Sequence, residues 1–149
     1  MKDAISIERV NKLHPKLRAE CIALLDKAEA LLPANITIRV VQGLRTIEEQ
    51  DALYAQGRTA PGKIVTKAKG GKSYHNYGLA IDFCLIIDGK VSWVVDDNWM
   101  KVVKVFKDAG WSWGGDFKSI KDNPHFEKTF GWKVADLLKM YKPGEYVPL

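Results

Sequence analysis

The side chains best suited to chemistry lie in two stretches, Ser73-Tyr74-His75-Asn76-Tyr77-Gly78-Leu79-Ala80-Ile81-Asp82 and Asp122-Asn123-Pro124-His125-Phe126-Glu127. Residues 79–87 alternate as a strand does. Leu79, Ile81, Phe83, Leu85 and Ile87 share one face, and Ala80, Asp82 and Cys84 share the other. The first face is core. The second surrounds one carboxylate with small residues and leaves room against it. An ionised carboxylate there is costly unless it is paired or bound to a cation. His75 precedes a glycine that can fold it back beside Asp82. That pair alone fits a plain buried His–Asp hydrogen bond better than a metal. His125 raises the odds of a metal: two imidazoles and one carboxylate make a three-ligand zinc site whose fourth position is open to water, as in a catalytic centre.

These residues need a frame. Pro15 to Leu32 reads as an amphipathic helix with Leu17, Cys21, Leu24, Leu25, Ala28, Leu31 and Leu32 inward, begun by Pro15 and ended by Pro33. Ile36 to Gln42 is β-branched and reads as a strand. Thr46 to Glu49 is a capping box, so a helix starts there and stops at Gly57, with Arg45 held between strand and helix. Leu79 to Ile87 is a second strand. Asp88-Gly89 is a hairpin turn, and Lys90 to Val95 is the partner strand. Asp96 to Gly110 carries a further helix with Trp99, Val102, Val103 and Phe106 inward, and strand pieces follow near Trp111 to Trp113 and His125 to Glu127. The sum is a small α+β domain. Tyr74, Tyr77, Trp111 and Trp113 either wall a cleft or join the core.

At 149 residues and 46% hydrophobic content the chain suits one globular domain with a real core. No stretch approaches the roughly 20 apolar residues that cross a bilayer. Met1 to Val10 has mixed charges and no apolar block, which argues against Sec export. The net charge of +5 is concentrated in residues 58–72, where Arg58, Lys63, Lys67, Lys69 and Lys72 occur without an acid. That run is a solvated loop or a contact for a polyanion such as an anionic wall polymer. Nucleic acid is disfavoured, because no aromatics interleave with the loop's cations and no reader motif is present. Cys21 and Cys84 form neither a disulfide framework nor a CxxC pair.

SxHxxGxAxD followed by a distant acid-x-x-His resembles the signature of the zinc D-Ala-D-Ala carboxypeptidase and dipeptidase family. Gln42-Gly43-Leu44-Arg45-Thr46, Glu49-Gln50, Leu53-Tyr54, Gln56-Gly57-Arg58-Thr59, Trp113-Gly114-Gly115-Asp116-Phe117 and Pro124-His125-Phe126-Glu127 resemble its L-alanyl-D-glutamate peptidase branch, which includes phage endolysins and bacterial wall hydrolases. The likeness runs through residues 5–132.

The resemblance implies an antiparallel sheet with flanking helices around a zinc cleft, a Hedgehog-like fold. It makes His75, Asp82 and His125 the ligands of one zinc ion and Asp122 the catalytic acid–base. As Asp-Asn-Pro, Asp122 also suits a turn. Arg45 stabilises an oxyanion or binds a substrate carboxylate, or is simply a surface arginine at a helix start. Ser73 either donates to substrate or stabilises its turn. Asp116 orients a zinc histidine or pins its loop, and Glu127 does the former if it shares a strand face with His125.

The implied reaction is hydrolysis of the L-Ala–D-Glu bond in the peptidoglycan stem peptide. A D,D-carboxypeptidase on the same scaffold is the nearest alternative. A zinc-holding module without chemistry is another, but it has no need of Asp122 as a base. No acidic loop lies between Asp116 and Asp122, so zinc without calcium is expected. The 17 residues after Trp132 are too few for a wall-binding domain, so a single catalytic module is expected. A monomer is expected too, made in the cytoplasm and reaching the wall after holin-type release.

Overall fold

The structure, a computed structural model, describes residues 1–149. In chain order it contains α1 (Ala4–Val10), α2 (Pro15–Glu29), β1 (Ile36–Gln42), α3 (Ile47–Ala55), a 3-10 turn (Tyr74–Tyr77), β2 (Ala80–Ile87), β3 (Lys90–Ser92), α4 (Asp97–Asp108), β4 (Ser112–Trp113), a second 3-10 turn (Gly114–Asp116), β5 (His125–Glu127) and α5 (Val134–Met140). All strand pairs are antiparallel, in the order β1-β2-β5-β4, with β3 also on β2.

Alternation decides what each face of the sheet does. Ile36, Ile38, Val40, Ile81, Phe83, Leu85 and Phe126 are buried in the core with Leu17, Cys21, Leu25 and Ala28 of α2 and Trp99, Val102, Val103 and Phe106 of α4. Phe83 stacks on Phe126 with ring centroids 5.2 Å apart, and Phe126 stacks on Phe106 at 4.4 Å. Such pairs add about 0.5–1.5 kcal/mol each beyond the area they bury. This column lies under β5 and makes the strand carrying His125 a rigid support. The opposite face places Asp82 directly across from His125, and Ala80 across from Glu127.

β1 is an edge strand, and its outward polar groups are met by side chains rather than by another strand. Ile38 N–H donates to Glu29, and Val40 N–H donates to Ser6 Oγ. The Val40 carbonyl accepts from Arg9, and the Ile36 carbonyl accepts from Lys2. Helix α1, for which residues 1–10 give no strong periodic signal, is the platform for Ser6 and Arg9.

Two boundaries differ from the sequence expectation. Helix α2 closes at Glu29 because Leu31 N–H and Leu32 N–H bond three residues back, and that tightened turn leaves Leu31 52% exposed instead of inward. Strand β3 stops at Ser92 instead of Val95. The edge of β2 that it would have followed is taken by β5 at Ala80–Asp82 and by the Pro124 carbonyl at Phe83 N–H. Tyr77 and Trp111 belong to the core, not to a cleft wall.

Candidate active site

The 3-10 turn Tyr74–Tyr77 delivers His75. Ser73 Oγ accepts from His75 N–H, and Asn76 Oδ1 accepts from the N–H groups of Gly71 and Ser73. Asn76 Nδ2 donates to the carbonyls of Arg45 and Thr46, so a single buried carboxamide ties the turn to the start of α3. Gly78 ends the turn in the left-handed region at φ 69°, where a Cβ would also collide with the His14 backbone nitrogen. The motif glycine is therefore required twice, once by conformation and once by space.

His75, Asp82 and His125 each present a ligand atom, and these atoms lie within 4.8 Å of one another. His75 Nε2 is 3.3 Å from one Asp82 oxygen, and His125 Nδ1 is 3.1 Å from the other. The outer nitrogens are also engaged. His75 Nδ1 donates to the Gly43 carbonyl at 2.8 Å, and His125 Nε2 donates to Glu127 at 2.8 Å. Each outer bond fixes the tautomer that leaves Nε2 of His75 and Nδ1 of His125 free as donors toward a common centre. Two neutral imidazoles and a carboxylate, each oriented from behind, fit a divalent cation of the zinc type.

Without a cation, the charges of the cluster are balanced by protons. Burial works against the charge on Asp82, but hydrogen bonds from His125 and His75 outweigh it and hold the carboxyl well below the usual range. Burial likewise opposes a charged His125. In the metal-free protein Asp82 and Glu127 on either side overcome it and raise the ring to about 9. A folded-state value above the ordinary 6.5 means that this group's stabilisation is full below pH 6.5 and is lost as pH climbs through 9. A cation must displace that proton, so metal affinity is expected to rise by about tenfold per pH unit up to about pH 9 and then level off. Competition against a chelator of known pH dependence measures it; a flat profile would mean that His125 is not a ligand.

Asp122 stands beside the cluster, its Oδ2 3.8 Å from His125 Nδ1. Its backbone N–H donates to the Gly114 carbonyl, and its carbonyl accepts from His125 N–H. A Cβ on Gly114 would run into the Asp122 carbonyl, so Gly114 sets how close this acid approaches. Trp113 Nε1 steadies the same loop by donating to the Asn123 carbonyl. Burial and the negative charge of Asp82 raise Asp122 above the ordinary carboxylate value, while His125, His75 and Arg45 oppose them. The carboxylate is half exposed and lies within one water of the cluster of His75, Asp82 and His125.

Arg45 lies on the other flank. Its guanidinium donates through Nη1 to Gln50 Oε1 at 2.8 Å, and its Nε is buried without a partner. Burial lowers its pKa against the attraction of Asp82, Glu49 and Asp122, which places the cation in the field of the site's acids. Gln50, fully buried, passes its other end to the Ala68 carbonyl. Gln50 and Asn76 received no role from the sequence, where nothing but their place beside motif residues marks them.

Asp116 does not touch either histidine; it pairs with Lys107 at 2.6 Å and pins its loop to α4. Glu127 does bond His125. Glu127→Ala should weaken metal binding by about 10–100-fold while the protein stays folded, as judged by chelator competition and circular dichroism. An unchanged affinity would leave Glu127 as a bystander.

Residues 66–128 match a family described as D-alanyl-D-alanine carboxypeptidase. The chain is 46% identical over 124 residues to the peptidoglycan L-alanyl-D-glutamate endopeptidase CwlK of Bacillus subtilis, an alignment covering 77% of this chain and 72% of that one. The chain belongs to this peptidase family. An L-alanyl-D-glutamate peptidase of Listeria phage A118 is 32% identical over 127 residues, covering 84% of this chain and 41% of the phage protein. Among solved structures, the L-Ala D-Glu endopeptidase ChiX of Serratia marcescens superposes with a TM-score of 0.59 at 26% identity, covering 85% of this chain and 88% of ChiX. The vancomycin-resistance D,D-dipeptidase VanXYg shares the fold at the same TM-score and 22% identity, covering 83% of this chain and 57% of its own.

Proposed function

We propose that this chain is a zinc-dependent endopeptidase that hydrolyses the L-Ala–D-Glu bond of the peptidoglycan stem peptide. The observation that carries the reading is the convergence of His75 Nε2, His125 Nδ1 and Asp82, with the carboxylate of Asp122 beside them. The family membership and the 46% identity to a peptidoglycan L-alanyl-D-glutamate endopeptidase supply the bond.

Zinc held by His75, Asp82 and His125 would polarise the scissile carbonyl and lower the pKa of a water from 15.7 toward about 7. Asp122 then takes a proton from the attacking water and returns it to the leaving amine, so one carboxylate serves as base and then as acid. Its raised pKa suits both halves of that duty. Arg45 offers a partly buried positive charge to the oxyanion that develops on the former carbonyl. Gly43 and Glu127 keep the two imidazoles in the required tautomers. Ser73 uses a lone pair to accept from His75 N–H, and its hydroxyl proton remains for a substrate carbonyl.

Such an enzyme acts on the wall after release from the cytoplasm, as a monomer. No helix is long and apolar enough to cross a membrane. The test is mass spectrometry of defined muropeptides treated with native, chelated and zinc-restored protein. Cleavage between L-Ala and D-Glu that is lost on chelation and restored by zinc supports the reading. Release of terminal D-Ala would make the chain a D,D-carboxypeptidase with the same site. Stoichiometric zinc without cleavage would leave a binding module and end the proposal.

A further inference from the structure

The net charge of the protein has an address. The chain holds 23 cations and 18 acids, and Arg58, Lys63, Lys67, Lys69 and Lys72 lie between residues 58 and 72 without an acid among them. Without this segment the chain is electrically balanced. In the structure all five are exposed, and none forms a salt bridge. Two of the three acids of α3 are occupied with backbone, Asp51 accepting from Gly70 N–H and Glu49 closing the capping box with Thr46.

A plain solvated loop has no need of a fixed shape, yet this one is tied down along its length. Gln56 donates to the Lys63 carbonyl, and Arg58 donates to the carbonyls of Tyr54 and Thr66. Gln50 holds Ala68, and Tyr77 Oη holds the Gly71 carbonyl. Arg58 lies over the Tyr54 ring at 3.9 Å, and Lys69 lies 5.5 Å from the same ring. Apart from the Lys69 ammonium near Tyr54, these restraints act on backbone, Arg58 or Tyr54, and none of the four lysine ammonium groups is held in an ion pair. In sequence the segment runs directly into Ser73 and His75.

We infer that this segment is a docking surface for a phosphodiester-linked polymer of the bacterial wall, holding the enzyme on the layer that contains its substrate. The inference rests on the wall-hydrolase reading for its setting. Ammonium groups with no fixed acceptor geometry suit a chain of phosphates, which offers charge at intervals rather than one shaped carboxylate. Binding by counterion release from four lysines falls by about fiftyfold between 50 and 200 mM salt, taking the slope for a single-stranded polyanion.

The experiment compares the native protein with a variant carrying Lys63→Gln, Lys67→Gln, Lys69→Gln and Lys72→Gln. Retention is measured on ice by co-sedimentation with purified Gram-positive walls, intact or stripped of phosphate polymers by hydrofluoric acid. Hydrolysis of soluble muropeptides is followed in parallel and reports folding and the active site. The expected result is salt-sensitive retention of the native protein on intact walls only, loss of about tenfold or more in the variant, and equal muropeptide hydrolysis by both. Equal retention of variant and native protein overturns the inference. Undiminished native retention on stripped walls also overturns it, because the ligand is then not the phosphate polymer. Absence of muropeptide cleavage by the native protein is a separate failure, of the catalytic reading rather than of the docking surface.

Discussion

Asp122→Asn is expected to lower kcat on muropeptides by about 10²–10⁴-fold, the usual worth of a positioned general acid–base, while metal content and fold stay intact. The substitution keeps the size and the backbone bonds of the residue, including Asp122 N–H to Gly114 and His125 N–H to the residue-122 carbonyl. It removes only the ability to take a proton. Asp122 is a neighbour of the ligand cluster rather than part of it, so the three donors of His75, Asp82 and His125 remain. Zinc stoichiometry therefore separates this variant from a ligand mutant such as His125→Ala, which loses both metal and activity. Retained activity in a metal-replete Asn variant would assign the proton transfer to another group and sink the mechanism proposed here.

The same arrangement explains why so much of the site could be read before any coordinates. A strand places alternate residues on one face, so the apolar run Leu79, Ile81, Phe83 and Leu85 forces Asp82 to the other side, as found. Gly78 is written into the motif because both its backbone conformation and its contact with His14 demand it. The capping box of Thr46 and Glu49 is a local signal and fixes the start of α3. Antiparallel pairing of Asp82 with His125 spans 43 residues of sequence, and those two stretches were joined in advance by ligand chemistry and the family resemblance, not by any local pattern.

What escaped is non-local. Helix α1 is seven residues long, and its main task is to serve the free edge of β1 through Ser6 and Arg9, which no periodicity announces. The premature end of β3 follows from competition with β5 for one edge of β2, a tertiary fact invisible in the β-branched run Val94-Val95. Asp116 has the chemistry of a histidine partner, but the geometry of its turn gives it to Lys107. Gln50 and Asn76 are carboxamides with nothing unusual in type. Their importance lies in burial and in bonds made at both ends of the carboxamide across the loops they join.

That bonding leads to the second large effect. Arg45→Met is expected to reduce kcat by about 10²–10³-fold, the loss seen when one donor to a developing oxyanion is removed, with zinc affinity little changed. The argument rests on what holds the guanidinium. Arg45 is partly buried, its Nη1 is fixed to Gln50, and Gln50 is itself fixed to the Ala68 carbonyl. A long cationic side chain restrained at one nitrogen loses little entropy when charge develops beside it, which is the condition for electrostatic preorganisation. Arg45→Lys should recover little, because a single ammonium cannot both bond Gln50 and face the reacting carbonyl as the forked group does. Gln50→Leu is the companion test. It leaves Arg45 in place but unrestrained, so its loss should be smaller than that of Arg45→Met and the two losses should not add. Additive losses would mean that Gln50 acts independently of the arginine. A change confined to KM in Arg45→Met would assign Arg45 to ground-state binding of a substrate carboxylate instead of the transition state.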